Sequence, residues 1–394
     1  MEFHAIHDSP FIFPNDAHPP WSIMIVLYPY VTGMVAGSFV VSALYHVFHK
    51  NELRPVARLA VATSLCFCAC ATLPLLLHLH QPFRALNVVA TPSPTSAMAG
   101  FGFIYSFYML VLLVDVWLLF RSSIVERARS VPGWLGGVYK ALALGVLEVT
   151  PRAAAIDHWL VGVLSLIGIP AACVLHGYVG FLFGAIKANP WWSSSLMPVI
   201  FLTSAVVSGI AVLVLLYLFL CRQSRMEPDD ACMTALARLL WRFLVLAVVF
   251  ETVDLLHVAY EREEEWHVIR ELLATKLRFS FFVVQVLIGA VVPLLLLPIP
   301  AFTKFFDAPF RRCCTAVAAV LVLVQVLAMR WNVVVGGQLF SKSFRGFVEY
   351  PVTWWGREGL VAAAIVLVLP LVLLCGLAKL LPVWPPETEG GDGR

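Results

Sequence analysis

Residues 195–221 read SLMPVIFLTSAVVSGIAVLVLLYLFLC, with no Asp, Glu, Lys or Arg among them. A helix crossing a bilayer core of about 30 Å needs about 20 mostly apolar residues. The stretch meets that requirement and reads as a transmembrane helix. Outward from it the pattern repeats, and spans are expected at 21–48, 55–78, 101–121, 159–186, 195–221, 239–260, 278–302, 312–332 and 359–382. The run 132–147, PGWLGGVYKALALGVL, is short and glycine-rich and carries Lys140. It is expected to lie at the interface rather than cross it. The fold class is thus an all-α polytopic integral membrane protein of nine helices.

Composition agrees. Of 394 residues 60% are hydrophobic and 13% charged, and mean hydropathy is +0.87. A soluble domain is about 45–50% apolar and about 25% charged, so a soluble globular protein, a nucleic-acid binder and a disordered chain are all excluded. Nine Cys lie in or beside apolar runs. Cys66, Cys68 and Cys70 sit two apart and do not share a helix face, so neither a metal site nor a disulfide framework is expected. The first twenty residues are polar and lack a basic n-region, and they are expected as an outer segment rather than a signal peptide. A transmembrane domain follows over 21–386, then a short inner tail, 387–394.

Orientation comes from Lys and Arg, which accumulate in cytoplasmic loops. With the N-terminus outside, most of the 27 basic residues fall on inner loops. Nine spans then place the C-terminus inside.

Ionisable groups inside a membrane are costly and mark functional sites. The candidates are Asp115, His176, Glu251, Asp254 and His257, with Arg278, Gln285, Arg330 and Asn332 near span ends. Tyr28, Tyr30 and Tyr178 join them in the outer half. Glu251, Asp254 and His257 follow one another at three-residue spacing, and two carboxylates with an imidazole on one stripe suit proton relay. Each group also has a purely structural use. His176 would serve a neighbouring carbonyl, Asp254 would pair with Arg278 or Arg330, and Asp115 would pair with Arg242. Trp191–Trp192 and Trp354–Trp355 would anchor an aromatic belt, and Gly33 with Gly37 would let two helices pack closely. What favours function is that unlike polar groups converge at one depth. A quinone head group needs donors to two carbonyl oxygens, a flat apolar slot and a proton route. His176, Tyr178 and the stripe on the sixth span meet that need. Bis-His haem on His176 and His257 is not expected, because neither lies in a haem motif.

Many short stretches, in order, resemble the NrfD-like (polysulfide reductase membrane subunit) family. They are PWSIMIVLYPYVTGMVAGSF (20–39), RPVARLA (54–60), PFRALNVVATPSPTSAMAGFGFIY (82–105), IGIPAACVLHGYVGFLFGA (167–185), NPWWSSSLMPVIFLTSAVVSG (189–209) and VLIGAVVPLLLL (286–297). The stretch from Arg330 to Leu360 and the ending LAKLLPVWPP (377–386) resemble the longer branch, with its hydrogenase and alternative complex III membrane subunits. The resemblance implies two four-helix bundles plus an extra helix, in a prokaryotic inner membrane. It implies a haem-free and metal-free chain that exchanges electrons with menaquinone or ubiquinone near the outer face. An iron–sulfur subunit would dock there, with a molybdopterin-type catalytic subunit, a hydrogenase or a multihaem cytochrome beyond it. The family histidine falls on His176, its acid on Glu251 or Asp254, and its RWN…GGQ stretch on Arg330, Asn332 and Gln338. The first-helix quinone contacts fall between Trp21 and Tyr30.

Two other readings compete. A solute or ion transporter would want an inverted repeat and a midplane site, and no clear repeat is visible. A quinone module that also translocates protons would use Asp115, Arg242 and Tyr45 as an inner half-channel.

Overall fold

The computed structural model describes residues 19–93, 95–261, 266–340 and 346–384. Most of the expected outer segment and inner tail lie outside these residues. So do 262–265 of the polar stretch before the seventh span and the basic residues Lys342 and Arg345.

Nine helices long and apolar enough to cross a membrane occur among the described residues. We number them span 1 (Ile23–His46), span 2 (Asn51–His78), span 3 (Ala97–Ser130), span 4 (Pro151–Gly184), span 5 (Met197–Gln223), span 6 (Asp230–Glu261), span 7 (Arg278–Phe302), span 8 (Ala308–Gln338) and span 9 (Leu360–Leu380). The end of the molecule where span 1 begins is called proximal, and the opposite end distal. Spans 3, 4 and 6 run well past the expected boundaries, because their helices continue through polar sequence beyond the apolar core. The doubtful stretch forms a short helix, Gly133–Leu142, against span 3 at the distal end.

Spans 1 to 4 form one closed bundle and spans 5 to 8 a second. Span 9 packs on spans 1 and 2. The bundles meet mainly along spans 1 and 5, where glycine permits it. A Cβ on Gly37 would lie 2.4 Å from the Ala205 carbonyl, and one on Gly209 would lie 2.4 Å from Gly37. The close-packing role expected of Gly33 and Gly37 therefore holds, with span 5 as the partner.

Span 7 opens as a π-helix over Arg278–Val291 before tightening at Val292. Wide turns of this kind recur at functional sites. Its Gly289 rests on span 8, where an added Cβ would come within 2.3 Å of the Gln325 Cβ. Span 7 packs on span 6 through Val292–Leu296 and Pro298–Phe302, in the distal half, and little through its π-helical half. The second bundle is thus parted on its proximal flank.

The proximal loops are pinned by Trp191 and Trp192, which are not belt anchors. Trp192 is buried, stacks on Trp21 at 4.9 Å, and donates to the Val333 carbonyl over 2.6 Å. Trp191 donates to the Asn332 carbonyl over 2.9 Å. The last turns of span 8 leave carbonyls unpaired, and these indoles satisfy them. The Trp21 backbone N–H donates to Gln338 over 2.9 Å, and the Ile23 N–H donates to the Tyr350 hydroxyl over 2.8 Å. Trp354 and Trp355 are exposed, as a belt requires.

Candidate functional site

A cleft of about 670 Å³, counting its open mouth, enters the proximal half of the second bundle. Its walls are largely apolar: Trp191, Met197, Leu255, Phe281 and Met329. Its polar groups are few: Ser194, Glu251, Asp254, Gln285 and Asn332.

These polar side chains form two short networks. Gln285, on the π-helical half of span 7, donates to Glu251 over 2.9 Å. Gln325, one span away, donates to the same carboxylate over 3.2 Å. Asn332 donates to the Gln285 carbonyl over 2.8 Å, which fixes the orientation of that amide. The Asn332 oxygen is buried with no protein partner among the described residues. Asp254 accepts a hydrogen bond from Ser194, which sits on the loop before span 5. Neither Arg278 nor Arg330 pairs with Asp254: Arg278 is exposed, and Arg330 is turned to the other side of span 8. Glu251 and Asp254 are both partly open to the cleft.

Behind the cleft lies a separate charged group. Arg330 is wholly buried. Span 8 extends to Gln338, so Arg330 sits two turns inside the helix and not near its end, where the sequence suggests it. Its guanidinium donates to Ser204 over 2.7 Å and to the Phe201 carbonyl over 3.2 Å, and lies 3.7 Å over the Phe201 ring. It also meets the His176 Nε2 at 3.1 Å. As guanidinium only donates, Nε2 accepts and the proton sits on Nδ1. His176 is buried at the junction of spans 1, 4 and 5, beside Gly33. It does not reach the cleft. Arg330 interacts electrostatically with Glu251, so the two regions are coupled through charge.

The structure brings Glu251, Asp254, Gln285 and Asn332 together and disperses the rest. His257 is turned to the outer flank, 3.2 Å from Glu261. Tyr178 belongs to the first bundle and donates to the Ala97 carbonyl over 2.9 Å. Tyr30 donates to the Leu323 carbonyl over 3.2 Å and ties span 1 to span 8. Tyr28 is buried edge-on to Phe101, its hydroxyl without a partner among the described residues. Asp115 is buried in span 3, and neither carboxylate oxygen has a partner among the described residues. Arg242 is exposed on span 6 of the other bundle, so the expected Asp115–Arg242 pair does not form. Tyr45 lies at the distal end against His46 and joins neither.

Gln325 and Ser194 are absent from the residues expected at the site. The available signal is a glutamine in the middle of the apolar run 312–332, which carries no charge to mark it. Ser194 lies in a loop and gives no signal at all.

The residues fit a flat ligand with polar ends. An acceptor stands at Asn332, a carboxylate at Asp254, a second carboxylate held by two amides at Glu251, and apolar walls lie between them. Such a site can bind a ring, accept protons from it and exclude water around it.

The sequence model of the family described as Polysulphide reductase, NrfD matches residues 13–342. The chain is 27% identical over 392 residues to the C subunit of selenate reductase from Mesobacillus selenatarsenatis, covering 95% of this chain and 88% of that one. It is 26% identical to the putative C membrane subunit of dimethyl sulfoxide reductase from Halobacterium salinarum, covering 76% and 66% of the two chains. It is 22% identical to the Hdr-like menaquinol oxidoreductase integral membrane subunit of Archaeoglobus fulgidus, covering 82% and 72%.

Proposed function

We propose, from the premise that this chain belongs to the Polysulphide reductase, NrfD family, that it is the quinone-reactive membrane subunit of a respiratory oxidoreductase complex. The observation that carries this reading is the proximal cleft. It joins aromatic and aliphatic walls to Glu251, Asp254, Gln285 and Asn332. The archaeal relative, named as a menaquinol oxidoreductase subunit, supports a quinone as the substrate.

Oxidation of a quinol releases two electrons and two protons. In this reading the ring lies between Trp191, Phe281 and Met329, with one hydroxyl donating to Asp254 and the other to Glu251. Asp254 takes a proton, held in place by Ser194. Glu251, fixed by Gln285 and Gln325, takes the other. The electrons leave across the proximal surface to an iron–sulfur partner, and reduction of a quinone runs the same steps backwards. Relatives named as subunits of selenate and dimethyl sulfoxide reductases support a catalytic subunit beyond that partner. The basic-residue bias favours a proximal end on the outer face of a prokaryotic inner membrane.

The test is quinol-linked electron transfer by the assembled complex carrying Asp254→Asn. The substitution keeps shape and the Ser194 contact but removes the base. A positioned general base contributes about 10²–10⁴-fold, so turnover should fall by that order with the subunits still co-purifying. Full turnover would reject the assignment.

A further inference from the structure

A second cavity opens at the distal end of the first bundle. It holds about 350 Å³, counting its mouth, and lies between spans 2, 3 and 4. Arg58, Ser122, Asp157 and His158 form its polar wall, and Leu118, Leu119 and Val161 belong to its apolar wall.

The sequence sets the depth of these groups. Arg58 stands near the start of the apolar run 55–78, Ser122 just past the end of 101–121, and Asp157 and His158 just before 159–186. The polar wall thus lies where three apolar runs meet the headgroup region. Leu118, Leu119 and Val161 belong to the runs themselves, on the membrane side of that wall. Tryptophans collect at membrane interfaces, and two mark this level. Trp159 is exposed, next in the chain to His158. Trp117 lies one turn from Arg121, whose guanidinium sits 5.6 Å from its ring centre. A cavity that is polar at headgroup depth and apolar beneath it has the polarity order of a phospholipid.

The charges select the headgroup. Arg58 is buried, with its guanidinium 5.7 Å from the centre of the Phe120 ring. His46, at the end of span 1, interacts electrostatically with both Arg58 and His158, so the basic groups gather in one place. Asp157 is the one carboxylate on the wall among the described residues, and Arg121 holds it at 2.8 Å. The Arg121 Nε–H is itself buried with no partner among the described residues, whereas buried donors are paired as a rule. A cationic headgroup would meet no open acid here. A phosphate would meet guanidinium, imidazole and the Ser122 hydroxyl, and charge-assisted hydrogen bonds of this kind are the strong ones.

We propose that the distal cavity binds the headgroup phosphate of an anionic phospholipid, with one acyl chain running along Leu118, Leu119 and Val161. The orientation favoured above puts this end at the cytoplasmic leaflet, whose anionic lipids attract basic clusters. The bound lipid fills the distal gap between spans 2, 3 and 4, far from the proximal cleft.

The test needs neither quinone nor partner. The intact chain, stripped of lipid in a nonionic detergent, is titrated with dioleoylphosphatidylglycerol, dioleoylphosphatidylcholine or inorganic phosphate, and bound molecules are counted by native mass spectrometry. One basic residue beside an anionic lipid is worth about fivefold in affinity. The expected result is one phosphatidylglycerol held about fivefold or more tightly than phosphatidylcholine, with no competition from inorganic phosphate. Arg58→Gln should lose that preference and Arg58→Lys keep it. Ser122→Trp alters an exposed residue at the mouth, so it should block the lipid while the chain stays folded. Equal binding of the two lipids, a folded Ser122→Trp chain that keeps its phosphatidylglycerol, or displacement of the lipid by inorganic phosphate would overturn the proposal.

Discussion

Gln285 on span 7 donates to Glu251 on span 6 over 2.9 Å, bridging the flank where those two spans part. Two helices that pack closely only in their distal half are joined here by one amide. The Gln285→Leu variant leaves Glu251 with Gln325 alone. Losing a hydrogen bond to a buried charged group costs about 1–3 kcal/mol. The melting temperature in detergent should drop accordingly, whereas a melt equal to the parent's would show that the bridge is not made.

His176→Ala removes an acceptor from a fully buried guanidinium. Arg330 keeps Ser204 and the Phe201 carbonyl, so the loss should be about 1–3 kcal/mol of stability. Turnover should fall far less than in Asp254→Asn, because His176 lies outside the cleft. A His176→Ala complex that is stable but inert would move the histidine into the reaction.

Gly209→Leu should separate the two bundles. An added Cβ meets Gly37 backbone at 2.4 Å, and backbone on both sides has no room to yield. Overpacking of this kind costs about 1–3 kcal/mol and often more. Gly376 in span 9 has open space around it, so Gly376→Leu is the matched control. Equal melting temperatures for the two variants would refute the span 1–span 5 contact.

Tyr350, between spans 8 and 9, latches the start of span 1 by accepting the Ile23 N–H. Burial pushes its phenol above the ordinary value, which is about 10. A raised folded-state value means that the stability it lends is present below about pH 10 and lost as pH climbs through the folded value. Melting temperature against pH should show an alkaline fall that is smaller in Tyr350→Phe. Identical curves would contradict the burial of the phenol.

The spans were legible in sequence because length and apolarity alone set them, and depth followed from chain direction. Azimuth did not. Glu251, Asp254 and His257 look like one stripe, but three residues turn a helix by about 300°, so His257 stands about 120° round from Glu251. Only the packing of spans 5 to 8 decides which part of that drift faces inward. His176 reads as a residue of the outer half and Arg330 as one near its span end, but nothing in the linear order says that they face each other across spans 4 and 8, away from the cleft. Trp191 and Trp192 resembled belt residues because their partners are backbone carbonyls of span 8, which carry no sequence signal.

The central claim is that the quinone ring occupies the cleft in the second bundle. Photolabelling with an azidoquinone, followed by peptide mapping, tests it most directly. The account predicts adducts on the peptides carrying Trp191, Leu255, Phe281 and Met329, suppressed by excess quinone. Adducts confined to spans 1 to 4, or unaffected by competing quinone, would contradict it.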